Sequence, residues 1–117
     1  MDRNQFDDFC ADLTATTHVI QWGGSSVWKV GGKIFAVCSH WAAGNHAKIS
    51  FKCSEMSYTL LREEKGIIPA PYLARAQWVQ LERPDAMSEA DIQLYIEEAH
   101  RIITSKLTRA ARAVLGL

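Results

Sequence analysis

The sequence lacks the features of a secreted, membrane-spanning or strongly basic protein. Its 117 residues contain no apolar run close to the ~20 residues that a transmembrane helix needs. The first five residues also lack the apolar core of a secretory signal. Lysine plus arginine and aspartate plus glutamate number 13 each, so the net charge does not attract nucleic acid or an anionic membrane, and any such contact needs a local patch. We therefore expect a cytoplasmic protein that does not contact membranes.

Cysteine and histidine are too few and too irregularly spaced to indicate a metal site or a reactive thiol. Cys10, Cys38 and Cys53 are odd in number and form no C-x-x-C pair, which favours free, buried thiols in a reducing compartment. No two histidines have the H-x-x-x-H spacing that presents two ligands from one helix. His40 lies two residues after Cys38, but a buried thiol beside a loop histidine is the simpler interpretation of that pair. No Gly-rich phosphate loop precedes a helix, so we expect no enzyme activity, no metal and no cofactor.

Hydrophobic periodicity and turn signals predict one domain over residues 1–117. The predicted elements are a helix over 3–13, an edge strand within 14–24, strands 27–30 and 33–38, a loop over 39–47, a strand 48–53, a helix 54–65, a strand 78–81 and a long helix from 88 to the C-terminus. This order lacks alternating βα units, so it predicts an α+β fold. We expect a two-layer α/β sandwich, with an antiparallel sheet and helices packed on one face.

Two strands joined by Gly31-Gly32 predict a hairpin, because both glycines can adopt a positive φ. This turn would place Val30 opposite Lys33 and Trp28 opposite Phe35. The predicted core face then carries Trp28, Val30, Phe35 and Val37, and the predicted outer face carries Lys29, Ile34, Ala36 and Cys38. In the strand 48–53, apolar residues alternate with Lys48, Ser50 and Lys52, which predicts a half-buried strand with a basic outer face.

Residues 66–79 form a connector with two of the chain's three prolines. Pro69 and Pro71 restrict the backbone, so we expect this connector to be stiff and extended. It would present Tyr72, Arg75 and Trp78, which can stack on a flat partner or hold an anionic one. In the alternative interpretation, the two aromatic rings cover the core and Arg75 pairs with a local carboxylate or carbonyl.

The segments 27–36, 49–53 and 66–79, followed by Leu115-Gly116-Leu117, resemble the YjbR/MmcQ-like family in their order and spacing. The resemblance covers nearly the whole chain. It implies the two-layer fold of the CyaY (frataxin) and secretion-chaperone type, and DNA binding through a double-wing arrangement. It does not imply the iron binding of frataxins, because the first helix offers only a few acidic residues rather than an acidic ridge.

Two functions follow as hypotheses. The first is a non-enzymatic DNA-binding protein that contacts mainly phosphates. Its candidate residues are Lys29, Lys33, Lys48, Lys52, Tyr72, Arg75 and Trp78, with Trp41, Arg101, Arg109 and Arg112 as further contributors. The second is a protein- or peptide-binding module of the secretion-chaperone type, which the neutral charge and the aromatic connector favour. For either function, we expect a monomer in preference to an oligomer.

Overall fold

The computed structural model describes residues 1–39 and 47–117, so the predicted loop His40–His46 and Trp41 lie outside the described residues. The helices in the described residues are α1 (Arg3–Ala11), α2 (Glu55–Leu61), α3 (Glu89–Ser105) and α4 (Arg109–Leu115), with a short 3-10 helix at Ala74–Ala76. The strands are β1 (Thr16–Gln21), β2 (Ser25–Val30), β3 (Lys33–Ser39), β4 (Lys48–Lys52), β5 (Ile67–Pro69) and β6 (Trp78–Leu81). No helix in these two ranges is long and apolar enough to span a bilayer.

The six strands form one antiparallel sheet in the order β1-β2-β3-β4-β6-β5. Helix α3 packs against β3 and β4, and α1 packs against β1 and β2 on the same face. The main core lies in this interface, where Phe6, Phe35, Phe51, Ile92 and Ile96 are fully buried. The α+β prediction is therefore confirmed, and so is the position of β1 as an edge strand.

Side-chain caps define where the helices begin. Asp2 and Gln5 form the predicted capping box, with both hydrogen bonds at 2.8 Å. The prediction of one long C-terminal helix is wrong, because α3 ends at Ser105 and the Thr108 hydroxyl accepts a 3.0 Å hydrogen bond from the Ala111 N–H to start α4. A threonine at this position satisfies a backbone donor that a continuous helix would already have paired.

The hairpin turns where predicted, but its register shifts after two pairs. Gly31 and Gly32 have φ of 58° and 78°, and Val30 lies opposite Lys33. A bulge then places Trp28 opposite Ala36, so Phe35 is the extra residue. The predicted faces of β3 are consequently wrong beyond this point: Ala36 and Cys38 join Phe35 in the main core, and Val37 lies on the outer face.

The connector 66–79 is folded rather than extended throughout. It contains β5, which pairs with β6 at the sheet edge, and the 3-10 helix Ala74–Ala76. A proline is tolerated in β5 because this strand has no further neighbour to which Pro69 would need to donate. Beyond β5 the chain turns under the outer face, where Ala70 and Trp78 form a small buried cluster with Val27 and Val37. The connector thus covers part of the sheet face opposite the helices.

Candidate nucleic-acid interface

The two lysines of β4 are buried, which contradicts the predicted basic, half-buried outer face. Lys48 is 5% exposed and Lys52 is 6% exposed. The Lys48 ammonium donates a 2.9 Å hydrogen bond to the backbone carbonyl of Glu82, and the Lys52 ammonium donates to the carbonyl of Ala76 in the connector. The apolar residues Ile49 and Phe51 face the main core as the alternation predicts, but other segments cover the polar side of the strand, and no sequence pattern indicates this. As placed, neither lysine reaches a partner on the surface.

The three connector side chains proposed as contacts have different surroundings. Trp78 is 4% exposed and belongs to the outer cluster, so its ring is not free to stack on a partner. Tyr72 is 98% exposed, and Arg75 is also exposed and makes no ion pair within the described part of the chain. The alternative in which both rings cover the core holds for Trp78 only. Tyr72 and Arg75 remain available as contacts.

The hairpin turn packs against the junction of α3 and α4. A Cβ built on Gly31 would lie 2.6 Å from the Leu107 Cδ1, so only glycine fits there with its φ of 58°. This contact brings Lys33, next to the turn, to the same end of the molecule as Lys106, which precedes Leu107. We call this the turn end; its cationic residues are Lys33, Lys52, Arg75, Lys106, Arg109 and Arg112.

Lys52 lies between the connector and the α3–α4 junction at the turn end. Its ammonium bonds to the carbonyl next to Arg75. Burial lowers the pKa of Lys52 below its ordinary value, and the nearby positive charge of Lys106 lowers it further. Two ammonium groups therefore lie close enough to repel each other. An anion bound at the exposed Lys106 ammonium would reduce that repulsion.

At the other end of the molecule, cations have acidic partners. Arg62 lies 4.0 Å from a Glu63 carboxylate oxygen, and Arg83 lies 3.7 Å from one of Asp85. We call the end formed by residues 62–66 and 83–91 the far end. Arg101, on the exposed side of α3, donates to Glu98 at 2.9 Å and is thereby removed from the predicted set of phosphate contacts. Within residues 1–39 and 47–117, the exposed turn-end cations have no such carboxylate partner.

Trp22 is a surface residue that the sequence analysis missed. It lies in the β1–β2 turn, is 45% exposed and has a φ of 52°. Together with Pro71, Tyr72 and Leu73 it lines an apolar hollow of 340 Å³. In the sequence, Gly23-Gly24 indicates only the end of the predicted edge strand, and nothing relates Trp22 to a connector 50 residues later.

The buried thiols have no nucleophilic character. Burial raises the pKa of both Cys38 and Cys53 to about 12, and it raises that of Cys10 further still. All three thiols are therefore protonated at neutral pH. In the described ranges, no three His, Cys, Asp or Glu side chains converge as metal ligands would.

One polar cluster beneath α1 has the residue types of a catalytic triad in a different arrangement. The fully buried Ser26 hydroxyl donates to the Asp7 carboxylate, and the His18 Nε2 lies 2.7 Å from the Ser26 Oγ. Trp28 donates from its Nε1 to Asp7 at 2.9 Å and stacks on His18. Because the serine lies between the other two and donates its hydrogen bond to the carboxylate, the histidine does not accept the serine proton as the base of a triad does. The cluster anchors α1 to the sheet.

Known structures share this architecture. The Deinococcus radiodurans protein DR2400, a DUF419 domain, superimposes with a TM-score of 0.86 at 19% identity, over 99% of this chain and 88% of its own. A Pseudomonas syringae protein superimposes with a TM-score of 0.70 at 20% identity, over 88% of this chain and 99% of its own. At these identities the likeness shows the fold alone.

No curated protein matches the sequence. The YjbR family model, however, matches residues 11–102, which span β1 to β6 and most of α3. This range contains the hairpin, the buried strand and the connector on which the sequence resemblance was based. The chain belongs to the YjbR family.

Proposed function

We propose that this protein is a non-enzymatic DNA-binding protein that contacts phosphates through its turn end. The observation that carries the proposal is that the exposed Lys33, Arg75, Lys106 and Arg109 of the turn end have no carboxylate partner within residues 1–39 and 47–117. Charges of one sign held together at the surface are favourable when an anionic partner binds. The resemblance of the hairpin and connector to a family labelled as DNA-binding supports the same function.

The arrangement of the cations suits contacts to the DNA phosphates without recognition of the bases. They come from the hairpin, the connector and the α3–α4 junction. None projects from a long helix that could enter a major groove, since α4 has seven residues. Four exposed cations that each neutralise one phosphate would give a slope of about −4 in log K against log salt concentration.

Titration of a labelled duplex at low and at moderate salt tests the proposal. The double variant Lys106→Ala/Arg109→Ala removes two turn-end cations, and we expect at least about a tenfold loss of affinity at low salt. The matched control is Lys65→Ala/Arg83→Ala, which removes two cations at the far end and should leave affinity unchanged. A protein that binds no DNA at low salt, or equal losses in both variants, would show the proposal to be wrong.

A protein- or peptide-binding module is the second candidate, because the hollow of Trp22, Pro71, Tyr72 and Leu73 is apolar and exposed. A peptide partner would depend on the hollow and only weakly on salt. Light scattering and co-purification measure this directly. A monomer without retained protein, together with salt-sensitive DNA binding, supports the first candidate.

A further inference from the structure

The apolar hollow lies next to the outer cluster, on which Leu73 packs, and phosphate contacts at the turn end leave it unoccupied. Trp22 comes from the β1–β2 turn, and Pro71, Tyr72 and Leu73 come from the connector, so two segments distant in sequence form one concave surface. Its volume of 340 Å³ is at the lower end of the range for small-molecule sites, and it suits one flat ring rather than an extended ligand.

Two of the four non-glycine residues with a positive φ in the described residues line this hollow. Trp22 and Tyr72 have φ of 52° and 67°, in the left-handed region that residues other than glycine seldom adopt. Tyr72 is 98% exposed, so packing of its ring does not compensate for the strain. Strained residues of this kind are concentrated at binding sites, where the strain presents a side chain to a ligand. Here it presents two aromatic side chains at the same concave surface.

Positive charge begins directly next to the hollow. The 3-10 helix Ala74–Ala76 follows Leu73 and carries the exposed Arg75. The carbonyl of its last residue, Ala76, holds the ammonium of Lys52, which in turn lies near Lys106. The surface therefore passes from an aromatic hollow to one arginine and then to the turn-end cations.

We propose that the hollow binds an unpaired nucleobase, so that the nucleic acid recognised here is single-stranded. This inference rests on the proposed function and specifies its ligand. The base would stack on Tyr72 and contact Trp22, with its phosphate on Arg75 and the following phosphates at the turn end. Aromatic rings beside a cationic track are the usual means of binding single strands without sequence specificity. A base inside a duplex is paired and stacked, and so does not reach the hollow.

A comparison of single-stranded and double-stranded DNA tests the inference. We expect a short oligothymidine to bind more tightly than a blunt duplex of equal length at the same salt concentration. Tyr72→Ala should weaken oligothymidine binding about tenfold and leave duplex binding unchanged. Tyr72→Phe keeps the ring and should restore the affinity. Leu94→Ala, which removes another exposed apolar side chain at 62% exposure on α3, is the matched control and should have no effect.

The outcomes separate this inference from the function on which it rests. If neither DNA binds at low salt, the proposed function is wrong. If both bind equally and Tyr72→Ala changes neither, the single-strand inference is overturned while phosphate binding stands. If an apolar or proline-rich peptide binds and is lost in Tyr72→Ala while DNA affinity is unchanged, the hollow is a peptide site and the inference is again overturned.

Discussion

The turn end and the far end each bury one lysine from the same strand, and the two lysines have different electrostatic surroundings. At the far end, Lys48 donates to the Glu82 carbonyl, and the arginines nearby pair with carboxylates. At the turn end, Lys52 donates to the Ala76 carbonyl with a second ammonium close by. The two lysines are alike in residue type, strand and burial. What distinguishes them is the charge of their neighbours, so the comparison shows how a buried lysine affects stability with and without a second ammonium beside it.

Alkaline pH should reduce the free energy of unfolding more than any of the substitutions considered below. Burial raises the pKa of all three thiols above 9.0. The unfolded chain then loses thiol protons that the folded chain keeps, and stability falls as the pH rises above 9.0. The expected cost is about 1.4 kcal/mol per thiol for each pH unit in that window. Urea unfolding at increasing pH measures this fall.

Lys52 should reduce this loss of stability at alkaline pH. The lowered pKa of Lys52 means that the folded chain loses this proton before the unfolded chain does, so Lys52 opposes the fall below 10.5. Lys52→Met should therefore lose stability more steeply with pH than the wild type. A Lys52→Met variant whose stability falls with pH in parallel with the wild type would contradict the assignment.

Gly31→Ala should break the turn end itself. The new Cβ would contact the buried Leu107 at 2.6 Å, and alanine is strained at a φ of 58°. We expect a loss of about 2 to 3 kcal/mol in the free energy of unfolding. The neighbouring Gly32→Ala meets nothing within 4 Å and bears only the strain of its positive φ, so it should lose about 1 kcal/mol. Equal losses of stability in the two variants would show that the Leu107 side chain moves to accommodate the new methyl group.

At neutral pH, replacement of either buried lysine should cost less stability than Gly31→Ala, and the loss should be larger for Lys48 than for Lys52. Lys48→Met removes a charge-assisted hydrogen bond to the Glu82 carbonyl and should cost about 1 to 2 kcal/mol. Lys52→Met removes a similar bond but also relieves the repulsion from Lys106, so its cost should be smaller. Thermal unfolding of both variants measures the difference. A larger loss in Lys52→Met would argue against like-charge repulsion at the turn end.

Arg75→Ala should have the smallest effect on stability and a clear effect on binding. Arg75 is exposed and makes no ion pair within residues 1–39 and 47–117, so the change in stability should stay within about 0.5 kcal/mol. Loss of a forked phosphate contact should cost ~1 to 3 kcal/mol of DNA binding. A variant that melts markedly lower yet binds normally would show that Arg75 is an internal clamp.

Features that are local in sequence were predictable, and those set by distant segments were not. The capping box at Asp2 and the Gly31-Gly32 turn depend on neighbouring residues, and both are present. The bulge at Phe35 has no turn signal, because it arises from how β2 and β3 pack against the helices. The connector's strand β5 was missed because its three residues gain their pairing only from β6.

The candidate site divides in the same way. Residue type indicated which side chains could meet a phosphate, and Lys33, Tyr72 and Arg75 remain exposed. Burial of Lys48, Lys52 and Trp78 is set by strands and carbonyls 24 to 34 residues away, or by packing across the outer face. Trp22 belongs to the site because the β1–β2 turn lies next to the connector in three dimensions.

The strand order also bears on how the chain folds. From β1 to β4 every strand pairs with its predecessor, and Asp7 reaches Ser26 and Trp28 across only 19 and 21 residues. By contrast, His100 on α3 meets the Thr14 carbonyl across 86 residues. Because closing short loops loses less chain entropy, we expect α1 and the first hairpins to form the nucleus and α3 to dock afterwards. In folding kinetics, Trp28→Phe, which removes the hydrogen bond to Asp7, should slow folding (a high kinetic φ-value), whereas Ile103→Val should mainly speed unfolding (a low one). The reverse order would refute this sequence of events.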